Sequence, residues 1–195
     1  MKIRENMHVL LLKGGFGSER EVSLNSAKAC SKAIKENGFI VTEVDIAKMN
    51  VNKLISLKAD VCFNALHGNS GENGSIQGLL NLLKIPYTHS GVAASAISMN
   101  KIYFKRLVIN TTESTDDPII FPKTLQINEG EKLSIKNYKG SYVLKPTNGG
   151  SSVGVKIVKG QNDIPLKNEF ICKNIMAEEF VGTMELTVTV LKDKP

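Results

Sequence analysis

Tyr142-Val-Leu-Lys-Pro-Thr-Asn-Gly-Gly-Ser-Ser-Val-Gly154 is the stretch on which the reading of this 195-residue chain turns. An apolar run ends at Lys145 and Pro146, a loop of small residues follows, and a β-branched run opens at Val153. The pattern predicts two strands joined by a glycine loop, with a lysine on the strand flank. Glycines 149, 150 and 154 allow backbone conformations closed to other residues and close approach to a ligand. Successive N–H groups in such a loop form an anion-binding concavity, to which Ser151 and Ser152 add hydroxyls and Lys145 a point charge. The P-loop spacing G-x-x-x-x-G-K-[ST] is absent, so an exposed hairpin loop is an equally good local reading.

Outward from this loop, the N-terminal half alternates strands and helices. Met7–Leu12 is continuously apolar and runs into Lys13-Gly-Gly-Phe-Gly17, the mark of a buried parallel strand opening onto a glycine turn. Ser18 with Glu21 reads as a capping box for a helix whose Val22, Ser26, Cys30, Ala33 and Ile34 recur at helical spacing. Asn37-Gly38 closes that helix. Strands are expected at Phe39–Asp45 and Asp60–Leu66, and helices after Gly74, with Ile76, Leu79, Leu80 and Leu83 inward, and at Met99–Val108. This is the pattern of a doubly wound parallel sheet. The polar stretch Asn110–Pro118 reads as a linker. Beyond it come short β-rich runs at 119–127, 141–145, 153–159, 175–180 and 185–191.

Composition bounds the function. Hydrophobic residues make up 42% and charged residues 23%, as in ordinary globular proteins. No run of ~18 apolar residues is present, and the run after the charged start is too short for a signal peptide, so the expected location is the cytoplasm with no membrane partner. Cys30, Cys62 and Cys172 form no C-x-x-C pair, which argues for free buried thiols rather than zinc or disulfides. The net charge of +6 is spread over scattered lysines, weak support for a nucleic-acid partner.

Several positions could carry chemistry. Gly15-x-Gly17 lacks the third glycine of a dinucleotide fingerprint, and Glu19 stands where a pyrophosphate would lie. A carboxylate there suits an ammonium ligand, or merely complements the helix dipole. His67 lies on the glycine-dense loop 66–74, at the carboxyl end of the third strand, where open α/β sheets bind ligands. Glu72 on the same loop is either functional or a solvated acid. Lys101 opposes the dipole at the start of its helix, which suggests a role beyond the helix. Glu178 and Glu185 flank a strand end able to accept from an amine and from ribose hydroxyls.

Five motifs, GGFGSEREVSLNSA (14–27), ALHGNSGENGSIQG (65–78), PYTHSGVAASAISMNK (86–101), VLKPTNGGSSVGV (143–155) and EEFVGTMELTV (178–188), resemble in order and spacing those of the D-alanine–D-alanine ligases of the ATP-grasp superfamily. The resemblance implies an α/β fold. A Rossmann-like N-terminal substrate domain (1–110) would be followed by a small α+β ATP-grasp subdomain (111–181) and the start of the large one (182–195). It implies ATP-dependent joining of two D-alanines through an acylphosphate, for peptidoglycan synthesis. Glu19 would hold the ammonium of the first D-alanine, with His67 near its carboxylate and Ser151 fixing the loop and that substrate; Glu19 and Ser151 would be the catalytic pair. ATP would be held by Lys101, Lys145, the loop residues Gly150, Ser151, Ser152 and Val153, the strand end Glu178, Glu179, Phe180 and Val181, and Glu185 at the ribose.

Three positions depart from the family pattern: Asn73 and Asn100 stand where acids are common, and His89 replaces a small residue. Family members continue for more than a hundred residues, with the carboxylates that hold Mg²⁺ or Mn²⁺. The expectation is therefore a fragment of such an enzyme, with no metal ligands of its own and a homodimeric parent. A ligase with another second substrate, such as D-lactate or D-serine, and a nucleotide- or amino-acid-binding module without turnover are the alternatives.

Overall fold

A computed structural model describes residues 6–129, 138–159, 174–182 and 184–188. The chain forms two compact units. The first comprises residues 1–111 together with the loop tip 148–151, and the second holds 112–147 and 152–195.

The first unit is built on a parallel sheet of order β2-β1-β3, with β1 at His8–Lys13, β2 at Ile40–Asp45 and β3 at Val61–Asn64. Strand β1 is central and buried on both faces, as its uninterrupted apolar run requires. Successive side chains point to opposite faces. Leu10 and Leu12 therefore join Leu54, Cys62, Leu66, Ile76, Leu80 and Ile85 in one core, while Leu11 packs with Ala27 and Ala65 on the other side. The segment after Ile85 extends the sheet, with Cys62 N–H donating to Pro86 O (2.7 Å) and Thr88 N–H to Cys62 O (3.1 Å).

Helix α1 runs Arg20–Glu36 and follows β1. Its end is a Schellman motif: Phe39 N–H reaches Ile34 O, Gly38 N–H reaches Lys35 O, and Gly38 has φ +81°. The expected capping box does not form, because Glu19 occupies the N-cap and makes no side-chain cap bond. The expected inward face is also corrected. Ser23, Ala27 and Ser31 are buried, with Cys30 and Ile34 beside them, whereas Val22 is exposed. Small side chains let the helix lie close on the sheet, and Ser23 is admitted because its hydroxyl is fully used. It accepts from Gly14 N–H (2.8 Å) and donates to Ala65 O (2.7 Å).

Further helices are α2 (Val51–Ser56), α3 (Asn69–Glu72), α4 (Ser75–Leu82), α5 (Val92–Met99) and α6 (Lys101–Thr112). In α4, Ile76 and Leu80 are buried, Leu79 and Leu83 pack at the core edge, and Gln77 is buried too. The expected helix over 99–108 is two helices. Asn100, with ψ 106°, ends α5, and its Oδ1 accepts from the N–H groups of Ile102 (3.1 Å) and Tyr103 (3.0 Å), so it caps α6. Helix α6 then runs to Thr112, three residues into the expected linker.

The second unit has an antiparallel sheet of order β4-β7-β5-β6: β4 Thr124–Glu129, β5 Tyr142–Pro146, β6 Lys156–Val158 and β7 Asn174–Glu179. Strands β5 and β6 are the hairpin expected around the glycine loop, paired Tyr142↔Val158 to Leu144↔Lys156. Tyr142, Leu144, Val158, Ile175 and Ala177 form its core, with Leu125 and Tyr138 at the edge. The expected β-run 185–191 is not seen in its described part. Residues 184–188 adopt no regular structure and pair with no strand among the described residues, and 189–191 lie outside them, as does Cys172. Cys62 is buried, which pushes its thiol up to about 12, and Cys30 is half-buried. No described helix is long and apolar enough to cross a membrane.

Candidate functional site

Strand β1 delivers the chain to Gly14 and Gly15, both with positive φ. A Cβ on Gly14 would lie 2.3 Å from Asp45 Oδ1, so glycine lets this carboxylate close on the turn. Asp45, at the end of β2, takes a two-pronged contact from Arg20: Nη1 to Oδ1 at 2.9 Å and Nη2 to Oδ2 at 2.5 Å. Arg20 Nη1 also donates to Gly15 O (3.1 Å). The Arg20 hydrogen bond holds the Asp45 carboxyl down to about 2, and Asp45 raises Arg20 above its ordinary value. This pair fixes the turn that sets Glu19 at the start of α1.

The carboxylate of Glu19 lies against the loop after β3. A Cβ on Gly68, where φ is +66°, would fall 2.2 Å from Glu19 Oε2. That loop is pinned from below by buried amides: Asn64 Nδ2 and Gln77 Nε2 both donate to Gly71 O, at 3.0 and 2.7 Å. Held this way, His67 places Nε2 3.1 Å from Ser26 Oγ and Nδ1 3.9 Å from Glu72 Oε1. Burial raises the Glu72 carboxyl above its ordinary value, the nearby Glu19 charge adds to this, and His67 opposes it. Two carboxylates facing one region are the environment an ammonium group would relieve.

The tip of the glycine loop belongs to the same unit. Ser151 Oγ donates to the Glu19 carboxylate, and Lys101 Nζ donates to Gly149 O at 2.7 Å. Lys101 is the first residue of α6, and this contact supplies the partner that its position against the dipole called for. Gly149 (φ +104°), Ser151 (φ +50°) and Ser152 (φ +56°) lie in the left-handed region. Two successive serines there carry strain, a feature that clusters at ligand-clamping loops. Beside the tip, Glu72, His89, Met99, Ser95 and Ser98 line an open cavity of about 340 Å³ with Gly149 and Gly150 on its rim.

The second unit places the other expected residues. Lys145 on β5 pairs with Glu178 on β7, which is 3% exposed. Glu179 Oε1 accepts from Lys123 N–H (3.0 Å) and Phe180 N–H donates to Ser141 O (3.0 Å). Val181, Ser152, Val153 and Glu185 are exposed. Of the departures, Asn73 Oδ1 accepts from Ser75 N–H (3.0 Å) and Asn100 caps α6, local roles that an amide fills as well as a carboxylate. Ser23, Asn64, Gln77 and the Arg20–Asp45 pair support the site without having been singled out in the sequence. A polar residue within an apolar face, as at Ser23 and Gln77, was the available signal. Among the described residues no group of three or more His, Cys, Asp or Glu is placed to hold a metal ion.

A parallel sheet with a carboxylate at the helix start behind its central strand, and a serine-bearing glycine loop against that carboxylate, defines an α/β protein. Solved structures share this fold. The D-alanine–D-alanine ligase of Bacillus anthracis superposes with a TM-score of 0.74 at 27% identity, covering 90% of this chain and 58% of that one. The D-alanyl-alanine synthetase A of Vibrio cholerae does so at 0.73 and 26%, covering 92% and 61%. Residues 50–90 match the family model described as the D-ala D-ala ligase N-terminus. The D-alanine–D-alanine ligase B of Mesorhizobium japonicum is 43% identical over 97% of this chain and 61% of its own length, and the Rickettsia canadensis ligase 37% over 96% and 52%. Over nearly its whole length the chain is similar to proteins named D-alanine–D-alanine ligase, and it spans between about half and three fifths of the length of these relatives.

Proposed function

We propose that the chain carries the first-substrate site and part of the nucleotide site of an enzyme that joins two D-alanines at the expense of ATP. The observation that carries this reading is the Ser151–Glu19 contact, which brings the glycine loop to the carboxylate at the start of α1. The domain reading follows: residues 1–110 as the substrate domain, 111–181 as the small ATP-grasp subdomain, and 182–195 as the opening of the large one.

In this account Glu19 binds the ammonium of the first D-alanine, with Glu72 adding negative charge and His67 orienting the carboxylate. The loop N–H groups of Gly150, Ser151, Ser152 and Val153 face the phosphates, with Lys101 and Lys145 neutralising charge. Glu178, Glu179, Phe180 and Val181 hold the base and Glu185 the ribose. ATP supplies the phosphoryl group that turns the first carboxylate into an acylphosphate, and the amine of the second D-alanine displaces phosphate from it. Positioning and charge neutralisation are what such a transfer requires of protein side chains. A structure described as a B. anthracis ligase complexed with ATP, similar at a TM-score of 0.72 and 25% identity, supports the nucleotide part. The same reading makes the protein a cytoplasmic, Mg²⁺-requiring homodimer acting in peptidoglycan precursor synthesis.

Phosphate release from ATP by this chain with D-alanine, against L-alanine and D-lactate, tests the reading. Release dependent on D-alanine supports ligation. Binding of both ligands without release makes the chain a binding module, the second reading. Absence of binding contradicts both.

A further inference from the structure

The cavity beside the loop tip is walled by Ser90, Ser95, Ser98, Met99, Glu72 and His89. Its lining side chains are mostly small. On α5 the serine hydroxyls are already engaged, Ser95 Oγ donating to Ser90 O and Ser98 Oγ to Ser95 O, both at 3.2 Å. The large groups are Glu72, Met99 and His89. A ligand whose ammonium sits between Glu19 and Glu72 enters this cavity at its Glu72 end. With its carboxylate oriented by His67, its side chain projects along the wall toward His89.

We propose that His89 is the residue that limits the amino acid accepted here to one with a short side chain. The inference rests on the amino-acid site argued above and adds what decides its size selectivity. A cavity of about 340 Å³ exceeds what an alanine needs, so side-chain length must be policed by a wall group rather than by total volume. The His89 ring is held in the wall by Nδ1, 3.4 Å from Thr88 Oγ1, and that hydroxyl lies 3.4 Å from Asn64 N at the end of β3. His89 is exposed. Partial burial and then the neighbouring His67 lower the His89 pKa below its ordinary value.

The test is an NMR titration of the isotope-labelled chain with D-alanine, D-2-aminobutyrate and D-norvaline, for the wild type and for H89A, H89Q and H89F. The wild type and H89Q should favour D-alanine. H89A should lose about tenfold of the preference over D-2-aminobutyrate, the low end of what one methylene is worth in an apolar pocket, and H89F should sharpen it. An H89A preference equal to that of the wild type overturns the inference while leaving the amino-acid site standing. Failure of the wild type to bind D-alanine at all overturns the site and the inference together.

Discussion

The Ser151 hydroxyl donates to the carboxylate of Glu19, 132 residues earlier in the chain. The contact joins a residue strained into the left-handed region to the N-cap of the first helix, and it makes the loop tip part of the first unit. Removing it with Ser151→Ala should weaken D-alanine binding about fivefold, the worth of one modest hydrogen bond. Calorimetric titration reads the change, and an unaltered affinity would show that the contact does not organise the site.

Gly68→Ala should be more damaging than its size suggests. The added methyl would meet Glu19 Oε2, and the residue must keep φ near +66°. With ψ −153° this conformation is essentially restricted to glycine, and the backbone term alone is about 1–3 kcal/mol. Urea unfolding should show a lowered midpoint, and D-alanine affinity should fall with it because Glu19 is displaced. A variant as stable as the wild type would mean the loop has room that the geometry denies.

The Arg20–Asp45 pair gives a signed pH dependence. The folded Asp45 carboxyl is held down to about 2, from an ordinary 3.8, chiefly by the Arg20 hydrogen bond. A depressed carboxyl contributes stability that is complete above its unfolded value and is lost as pH falls through the folded one. The melting temperature should therefore drop between about pH 4 and pH 2, and Asp45→Asn should remove its share of that drop. Glu43 titrates in the same window, held to about 2 first by Lys13 and then by Ser31, so Glu43→Gln is the necessary companion. Identical acid profiles for Asp45→Asn and wild type would refute the assignment.

How much of this was legible in the sequence divides by the range of the interaction. The apolar run 7–12, the glycine turn and the hairpin follow from local patterns, although the hairpin's second strand opens at Lys156 rather than at Val153. The buried face of α1 did not, because periodicity weighs Val22 above Ser23 and Ala27, whereas close packing on the sheet favours the small residues. The break at Asn100 was hidden for a related reason: its amide caps α6 in the middle of a helical pattern. Glu19, His67 and Ser151 could be singled out by motif, but that Glu19 meets Gly68 and Ser151 is a property of the fold.

Lys145 separates binding from stability. Lys145→Ala strips its cation from Glu178, which is buried, at a cost of about 1–3 kcal/mol. The double variant Lys145→Ala/Glu178→Gln should recover much of that stability in urea unfolding. Nucleotide affinity should stay low in the single variant. Retained ATP affinity there would show that Lys145 is only a structural partner of Glu178.

The central claim is that Glu19 holds the ammonium of an amino-acid substrate. Titration of D-alanine into the wild-type chain and into Glu19→Gln tests it most directly. The account requires saturable binding to the wild type and at least a tenfold loss in Glu19→Gln, with unchanged ATP affinity. Equal D-alanine affinity for the two would contradict it.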